Sequence, residues 1–463
     1  MGAAHQVSVA CFNEDAAIAA TNRMEAGMTG STPAAPLRVA LLGCGTVGGH
    51  VARLLTTQAD ELATLIGRPI ELVGIAVRSL GEAPPTLPIE LFTEDAMSLV
   101  RRDDIDIAIE LVGGIEFAGE LIRTAFAHGA SVVTANKALL GAQGAELFAA
   151  ADAAGVDLYF EAAVAGAIPI IRPLRESLVG DDVTTVMGIV NGTTNFILDK
   201  MTNEHLAFGE ALAQAQQLGL AEADPTNDVE GFDAASKAAI LASLAFRTWV
   251  AAGQVDREGI TELTTEDMAA AADAGCVVKL LATAQILPDG AVSVGVHPTM
   301  VPRDHPLAAV GGAYNAIFLL AREAGRLMFL GPGAGGAPTA SAVVGDVVTV
   351  GRNRHRGVAA PSEPVVATRR VASPGEATSR YHLRLAVVDQ PGTLARVATV
   401  LATHQVSVRT VHQMAPDGGP EAVAQIALMT HLAREADVQA CVRELADSPF
   451  TMGPVRLLRV EGM

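Results

Sequence analysis

Short apolar runs alternate with segments of helical spacing in the first part of the chain. The runs RVALLG, ELVGIAVR, IDIAIELVG and ASVVTANK predict buried strands. Between them, apolar residues three and four positions apart predict helices, one from Val47, one over about 118–128 and one over about 144–154. Strands that alternate with helices predict a parallel sheet with helices on its faces, so residues 36–155 are interpreted as an α/β domain.

The pattern changes after Val156. Four further segments predict strands, with long Ala- and Leu-rich helices between them. The strand segments are DLYFEAAV, VTTVMGIVNG, AVSVGVHPTMV and RLMFLG. They indicate a second α/β domain with its own sheet over residues 156–337. A glycine-rich turn then leads into a helix, and residues 338–352 are expected to return to the first domain and complete it.

The C-terminal segment has the element order βαββαβ. RYHLRLAVVD alternates like a strand, PGTLARVATVLATHQ has helical spacing, and the pattern continues to the final strand VRLLRVE. This order predicts a ferredoxin-like domain over residues 380–463. Residues 353–379 contain prolines and arginines and are interpreted as a linker. Residues 1–35 show no clear periodicity and are interpreted as a disordered tail.

Composition and charge narrow the class of protein. Half of the 463 residues are hydrophobic, 18% are charged and the formal net charge is −19, which indicates a globular protein. The acidic balance argues against nucleic acid or an anionic membrane as a partner. No apolar run is long enough to span a membrane, and the N-terminus lacks a signal-peptide pattern. Four cysteines without paired or metal-ligand spacing favour a reduced, cytoplasmic location.

The first strand runs into GCGTVG, which places Gly43, Gly45 and Gly48 in the GxGxxG spacing. The first glycine permits a tight turn, the second lets a pyrophosphate approach the backbone, and the third lets helix and strand pack closely. Thr46 and Val47 would open the helix whose N-terminus faces the phosphates. The motif predicts a Rossmann-type dinucleotide site, and an ordinary tight turn is the alternative.

Two later strands of this sheet end in candidate cofactor contacts. Arg78 follows the second strand, where an arginine can pair with a 2′-phosphate, so NADP is favoured and NAD is also expected to bind. The alternative is a solvated arginine. In TANK, Thr134 and Lys137 follow another strand at the sheet edge where ligands gather. A surface lysine at a helix start is the alternative for Lys137.

Lysine is scarce in this chain, since only four of the 32 basic side chains are lysines. Arginine does not lose its proton near neutrality, whereas a lysine can when its pKa is lowered, so each lysine is a candidate for proton transfer. Lys237 ends an acid-rich stretch, AEADPTNDVEGFDAASK, which does not match the EF-hand calcium pattern. Asp233 and Lys237 are four residues apart on one predicted helix face. The alternative is a solvated ion pair beside an acidic surface loop.

A turn rich in small residues, NGTTNF, follows a predicted strand at Asn191. Such a turn can offer backbone N–H groups to a carboxylate. A turn with a purely structural role is an equally good interpretation.

Taken together, these motifs resemble homoserine dehydrogenase, in the monofunctional form without an aspartate kinase. The resemblance runs from about Arg38 to Met463 and rests on seven motifs in one order: GCGTVG, TANK, EAAVAGAIPII, GIVNGTTNFIL, AEADPTNDVEGFDAASK, HPLAAVGGAYNAI and GPGAGGAPTASAVVGD. The C-terminal unit resembles an ACT domain, an amino-acid-sensing module. The expected fold class is therefore α/β, with a Rossmann-type domain, a catalytic and dimerisation domain, and a ferredoxin-like ACT domain.

The resemblance implies an activity and roles for particular residues. The family interconverts L-homoserine and L-aspartate 4-semialdehyde with NAD(P), toward threonine, methionine and isoleucine. Carried over by position, it implies roles for three sets of residues. The residues expected to bind the substrate are Glu222, Asp228, Gly192 and Thr193. The reacting oxygen would lie among Asp233, Lys237 and Lys137. A monovalent cation, Na⁺ or K⁺, would bind Glu161 and the carbonyls of Val164, Gly166 and Ile168.

The ACT resemblance implies feedback regulation. An amino-acid effector, expected to be threonine, would bind the turn between Val387 and Leu394, where Asp389 offers a carboxylate and Gly392 opens a helix N-terminus. Ferredoxin-like modules commonly pair, so a homodimer or homotetramer is expected. Two alternatives stay open, namely a sensor without catalysis and another Rossmann-type amino-acid dehydrogenase.

Overall fold

The computed structural model describes residues 35–82, 84, 86–360, 369–414 and 423–462. The tail predicted to be disordered, residues 1–35, lies outside the described residues except for its last position. Residues 361–368, in the middle of the predicted linker, also lie outside the described residues.

The first domain is built on a six-stranded parallel sheet in the order β3-β2-β1-β4-β5-β6. Its strands are β1 Leu37–Leu42, β2 Ile70–Ala76, β3 Phe92–Thr93, β4 Ile107–Glu110, β5 Ser131–Thr134 and β6 Leu158–Tyr159. Its helices are α1 Thr46–Thr57, α2 Ala59–Ile66, α3 Ala96–Val100, α4 Glu116–Ala127 and α5 Lys137–Ala154. The strand order reverses between β1 and β4, and ligands bind beside such a switch point at the carboxyl ends of the strands.

The second domain contains a mixed sheet that runs β12-β11-β7-β9-β10. Its strands are β7 Val183–Ile189, β8 Asp256–Arg257, β9 Cys276–Ile286, β10 Val292–Pro302, β11 Tyr314–Ala321 and β12 Gly325–Pro332. Its helices are α6 Gly192–Asn203, α7 Phe208–Gln217, α8 Thr226–Val229, α9 Phe232–Phe246 and α10 Thr265–Asp273. The following helix, α11 Gly336–Arg356, returns to the first domain and packs on α1 and α2.

The third unit has the predicted βαββαβ order. Its elements are β13 Thr378–Val388, α12 Thr393–Thr403, β14 Val408–Met414, β15 Val423–Thr430, a short β16 Ala433–Arg434, α13 Glu435–Ala446 and β17 Arg456–Val460. Alternate residues of β13, such as Leu383, Leu385 and Val387, enter a separate core between the sheet and the two helices. The alternation seen in the sequence therefore reflects a sheet with one face in this core.

The sheets of the second and third units are continuous, which the sequence analysis did not anticipate. Strand β17 pairs in parallel with β10, at Thr299–Arg459 and Met300–Val460, and antiparallel with β13. The result is one eleven-stranded sheet. Arginines reinforce the junction, because Arg384 and Arg456 both pair with the buried carboxylate of Asp267 in the second domain.

The segment predicted as a linker, residues 353–379, is more ordered than expected at both ends. Its first residues complete helix α11, which ends at Arg356, and Val371 forms a bridge with Val292 at the edge of β10. The last two residues, Thr378 and Ser379, already belong to β13. A free edge strand is a site of unwanted pairing, so covering the edge of β10 removes a risk of aggregation.

Helix α5 begins earlier than the predicted start near residue 144. Asn136 caps it by accepting a hydrogen bond from the Leu139 amide at 3.1 Å, so Lys137 is the first helical residue. Gly144 interrupts the apolar pattern because a Cβ there would lie 2.3 Å from the Trp249 ring. The sequence pattern failed here because the packing of a distant tryptophan outweighs the low helix propensity of glycine.

No helix among the described residues is both long and apolar enough to cross a membrane.

Candidate functional site

The glycine turn after β1 is shaped for close approach to the backbone. Gly43 has φ +99°, and a Cβ there would lie 2.7 Å from the Leu111 carbonyl oxygen. A Cβ on Gly48 would lie 2.1 Å from the Gly43 carbonyl oxygen, whereas the space beside Gly45 is open. Helix α1 starts at Thr46, and no side chain caps its N-terminus. The N–H groups of Thr46 and Val47 can therefore bind a phosphate, which fits a dinucleotide cofactor.

The other predicted cofactor residues have different surroundings. Arg78 lies two residues beyond β2 and is exposed, so its guanidinium can reach a ligand at this edge. Thr134 is fully buried and its hydroxyl donates to Glu110 at 2.6 Å. Glu110 also accepts from the amides of Val112 and Gly113 and so fixes the loop after β4. Thr134 therefore shapes the cleft through Glu110, a buried acid that the sequence analysis missed.

A single buried carboxylate joins the two candidate lysines. Asp233 accepts from Lys237 Nζ at 2.7 Å, and Lys137 Nζ lies 3.2 Å from its other oxygen. Lys237 also donates to the Val190 carbonyl at 2.7 Å. The Lys237 side chain is 11% exposed and that of Lys137 is 38% exposed. Two ammonium groups thus converge on one acid, and the one on Lys137 is open to solvent.

Three chain segments bring these groups together. Helix α5 begins at Lys137 directly after β5, so this lysine sits at the ligand-binding edge of the parallel sheet. Helix α9 carries Asp233 and Lys237 one turn apart, as the spacing predicted. Helix α6 follows β7 and brings Asn191 to its cap position. The Lys137–Asp233 contact therefore links the nucleotide-binding domain to the second domain.

Asn191 completes the cluster and was not identified from the sequence. Its amide nitrogen donates to Asp228 at 2.7 Å and to Asp233 at 2.9 Å. Its amide oxygen accepts from the Thr194 amide at 2.9 Å and so caps α6. An Asn before a run of helical spacing is a capping signal, but its contacts with the two acids come from distant residues.

The two acids of the cluster differ in their electrostatics. Burial by itself would raise the pKa of Asp233, but the charges of Lys237 and Lys137 and the hydrogen bonds from Lys237 and Asn191 outweigh it. The pKa of Asp233 falls to about 2. Burial raises the pKa of Asp228 above its ordinary value, although the bond from Asn191 opposes the change. Asp233 is therefore a fixed anion at neutral pH.

The other acids of the stretch from Glu222 to Lys237 lie apart from this cluster. Glu222 is exposed, and its backbone carbonyl accepts from Gln216. Asp224 bonds the amide and hydroxyl of Thr226, and Glu230 accepts from Thr261. Of the two predicted substrate acids, only Asp228 adjoins Asp233 in this structure. The substrate role of Glu222 stays a prediction.

The turn at Gly192 and Thr193 is tightly packed. A Cβ on Gly192 would lie 2.6 Å from the Ala313 carbonyl oxygen, so a larger residue cannot fit without movement. The Thr193 hydroxyl donates to the Leu220 carbonyl at 2.7 Å. The Thr193 side chain thus holds the chain before the acidic stretch, and a substrate contact from this turn would come from its backbone.

The predicted cation loop is buried, and the carboxylate of its acid, Glu161, is bonded to backbone amides of the same segment. The Glu161 carboxylate accepts from the amides of Ile170, Ile171 and Arg172 at 2.6–3.0 Å and pairs with the Arg172 guanidinium. These contacts already occupy its carboxylate, and the role of Glu161 as a ligand of the cation stays a prediction. Within the described chain, the carbonyls of Val164, Gly166 and Ile168 accept no backbone hydrogen bond, and carbonyl oxygens suit a hard cation.

The remaining lysines are outside the cluster. Lys200 pairs with Glu204 on α6. Lys279 is 3% exposed and donates to Asn195 and to the Val310 carbonyl, and burial lowers its pKa to about 8. The scarcity of lysine in the sequence therefore could not distinguish Lys137 and Lys237 from Lys279, which is buried outside the cluster.

Three family models match different parts of the chain. The model described as homoserine dehydrogenase matches residues 169–348. The model described as the NAD binding domain of homoserine dehydrogenase matches residues 43–161, and the ACT domain model matches residues 381–450.

The chain is 50% identical over 436 residues to a homoserine dehydrogenase of Corynebacterium glutamicum, covering 93% of this chain and 97% of the relative. It is 49% identical over 433 residues to one of Mycobacterium tuberculosis, covering 92% and 98%. Among solved structures, a homoserine dehydrogenase of Thiobacillus denitrificans is 40% identical, with TM-score 0.86 and coverage of 92% and 98%. A hyperthermophilic archaeal homoserine dehydrogenase in complex with NADPH is 28% identical, with TM-score 0.58 and coverage of 68% and 98%. The chain belongs to the homoserine dehydrogenase family.

Proposed function

We propose that Lys137 and Lys237, oriented by Asp233, carry out the proton transfer as this enzyme interconverts L-homoserine and L-aspartate 4-semialdehyde. The observation that carries the proposal is the pair of ammonium groups held on one buried carboxylate at the edge where the glycine turn opens. In the biosynthetic direction the reaction leads toward threonine, methionine and isoleucine.

The cofactor, when bound, supplies or accepts the hydride. In reduction, the aldehyde oxygen gains a proton from a lysine ammonium; in oxidation, the alcohol gives its proton to a neutral lysine amine. Asp233 stays ionised throughout because its pKa is about 2. Its role is to orient both amines, and Lys137 is the amine that can exchange its proton with solvent.

The acids beside this cluster suit the amino end of the substrate. Asp228 is half-buried and lies next to Asp233 through Asn191, so an ammonium group can pair with it at low cost in desolvation. Glu222, which is exposed, would have to turn inward on substrate binding. The backbone at Gly192 and Thr193 would meet the substrate carboxylate.

NADP is the proposed cofactor, with NAD also accepted, because Arg78 offers a guanidinium beyond β2. A related archaeal enzyme has been solved with NADPH. A Na⁺ or K⁺ ion is proposed at Glu161 and the carbonyls of Val164, Gly166 and Ile168. Neither assignment depends on the other.

The ACT domain is proposed to bind an amino-acid effector, threonine, at the turn after β13. Asp389 is half-buried there, and Gly392 has φ +92° at the uncapped N-terminus of α12. A helix N-terminus attracts a carboxylate and Asp389 attracts an ammonium, so the pair suits a free amino acid. A homodimer or homotetramer would place two such turns together.

The decisive experiment is a steady-state assay of NADPH oxidation with L-aspartate 4-semialdehyde. We expect saturable turnover whose kcat Lys137→Arg and Lys237→Arg lower by about 10²- to 10⁴-fold without loss of NADPH binding. Binding of NADPH without any turnover would instead support a sensor.

A further inference from the structure

An apolar cavity lies behind the site, between helices α5 and α9. The room inside it for the centres of water-sized molecules is about 40 Å³, so a ligand larger than a few water molecules has to widen it. Its walls are mainly apolar and aromatic side chains, namely Leu140, Phe148, Phe160, Leu174, Ile240 and Trp249. An apolar cavity with a few polar groups is the usual form of a small-molecule site.

The walls belong to the two helices that carry the site lysines. Leu140 lies three residues after Lys137 on α5, and Ile240 lies three residues after Lys237 on α9. A ligand that enters between these helices must push them apart. The Lys137–Asp233 distance of 3.2 Å, which spans the two helices, would then increase.

Unusual backbone conformations border the cavity. Residues Pro173–Ser177 form a π-helical turn, a rare conformation that is often found at functional sites. Arg247, which ends α9, has φ +51°, which is uncommon for a residue other than glycine. Conformations that cost free energy persist where the surrounding structure requires them.

The charge of the lining defines what the cavity can bind. It contains two arginines, Arg175 and Arg247, and no carboxylate, in a protein of net charge −19. The Arg247 guanidinium donates to the carbonyls of Val179 and Asp181, which are neutral acceptors. An apolar space with such a rim matches a ligand with a ring and an acid group.

We propose that this cavity binds a small aromatic carboxylate, with the ring between α5 and α9 and the acid group on Arg247, and that occupancy lowers turnover. None of the residues that line the cavity is among those proposed for the cofactor or the substrate. The coupling is reciprocal. If the ligand separates Lys137 from Asp233, then any change that tightens the Lys137–Asp233 contact must weaken binding of the ligand.

Trp249, the single tryptophan of the chain, reports on the cavity directly. We expect naphthoate to quench its fluorescence with saturation in the full-length protein. Arg247→Asn removes the charge but keeps a residue tolerated at positive φ, and should weaken naphthoate about tenfold. Naphthalenemethanol, which has the ring without the charge, should bind both proteins equally.

A pair of identical substitutions controls for access. Val179 is 47% exposed at the mouth of the cavity, and Val358 is 53% exposed elsewhere. Val179→Phe should abolish the quenching and Val358→Phe should not. Unsaturable quenching, or equal weakening of both probes by Arg247→Asn, overturns the proposed site.

The activity measurement rests on the proposed function, whereas the fluorescence measurement does not. We expect naphthoate to lower kcat without competing with NADPH or semialdehyde, and Val179→Phe to remove this effect. Saturable binding with unchanged kcat would overturn the regulatory part of the proposal. Competition with NADPH would place the ligand in the nucleotide cleft and overturn the site.

Discussion

At the scale of the residue, Asp233 is a buried anion with two cationic partners from different domains. A buried charge is costly unless it is paired, and removing one partner leaves the others uncompensated. Substitution here therefore affects both chemistry and stability, and the two effects need separate measurements.

The Asp233 carboxylate should make stability depend on acid pH. Its pKa of about 2 in the folded protein lies below the ordinary value of 3.8. Its stabilising contribution is therefore complete above the ordinary value and is lost as pH falls toward 2. We expect Asp233→Asn to flatten the decline in urea stability over this window. An unchanged pH dependence would show that other groups account for the decline.

Lys137→Arg and Lys237→Arg should keep the fold and cofactor binding but lower kcat, since the charge remains and proton transfer is lost. General acid–base groups contribute about 10²- to 10⁴-fold in rate. Lys200→Arg, at an ion pair on α6 away from the cluster, is the matched control. Near-normal kcat in both site variants would refute the proton-transfer role.

Asp228→Asn and Glu222→Ala separate the two candidate substrate acids. Because only Asp228 adjoins Asp233, we expect Asp228→Asn to raise KM for homoserine about tenfold or more, as a charge-assisted bond is lost. Glu222→Ala should raise the same KM less, with KM for NADP unchanged in both. Equal effects of the two variants on homoserine would show that Glu222 turns inward when the substrate binds.

Sequence spacing was sufficient to predict the Asp233–Lys237 pair, because one helical turn determines that contact. It could not reveal Asn191, whose partners Asp228 and Asp233 lie 37 and 42 residues away. The orientation of Glu161 was equally hidden, since its carboxylate binds amides nine to eleven residues further on. Contacts of this kind depend on tertiary structure rather than on local pattern.

At the scale of the element, helix α5 shows how packing extends a helix beyond its pattern. The glycines after Lys137 lower local helix propensity, so the predicted start was too late. The Asn136 cap and the Trp249 ring on Gly144 stabilise the first two turns and thereby hold Lys137 at the site.

Gly144→Ala should destabilise the protein by about 1–3 kcal/mol, because the new methyl group overlaps the Trp249 ring. Gly209→Ala is the matched control, since no atom lies within 4 Å of its Cβ position in α7. There we expect stabilisation of about 0.5–1 kcal/mol from helix propensity. Urea unfolding measures both, and equal changes would contradict the packing argument.

At the scale of the whole molecule, the βαββαβ order of the third unit was predictable, whereas strands β9 and β11 of the second domain and the union of two sheets were not. Strand β6, which was predicted as part of the second domain, joins the sheet of the first. Pairing of β17 with β10 joins strands that are far apart in sequence, and no local signal encodes it. A domain attached by a linker alone could be removed without opening the catalytic core, but the shared sheet makes this untrue of the ACT domain.

A chain truncated after Arg370 should lose stability as well as any threonine response. It lacks β17 and the two arginines that pair with the buried Asp267, so a charge and a strand edge are left uncompensated. Asp389→Ala is the better test of regulation, because it leaves the sheet intact. We expect it to abolish inhibition by millimolar threonine. A truncated chain with wild-type stability would refute the structural role of β17.

The position of β17 has a consequence for synthesis of the chain. Strand β17 is synthesised long after β10 and lies inside the large sheet, between β10 and β13, rather than at its edge. The second domain is translated well before this strand and must wait for it with part of one edge uncovered. An incomplete chain would keep that edge open and be prone to aggregation or proteolysis. The fold thus makes synthesis of the chain through β17 a condition for a stable enzyme.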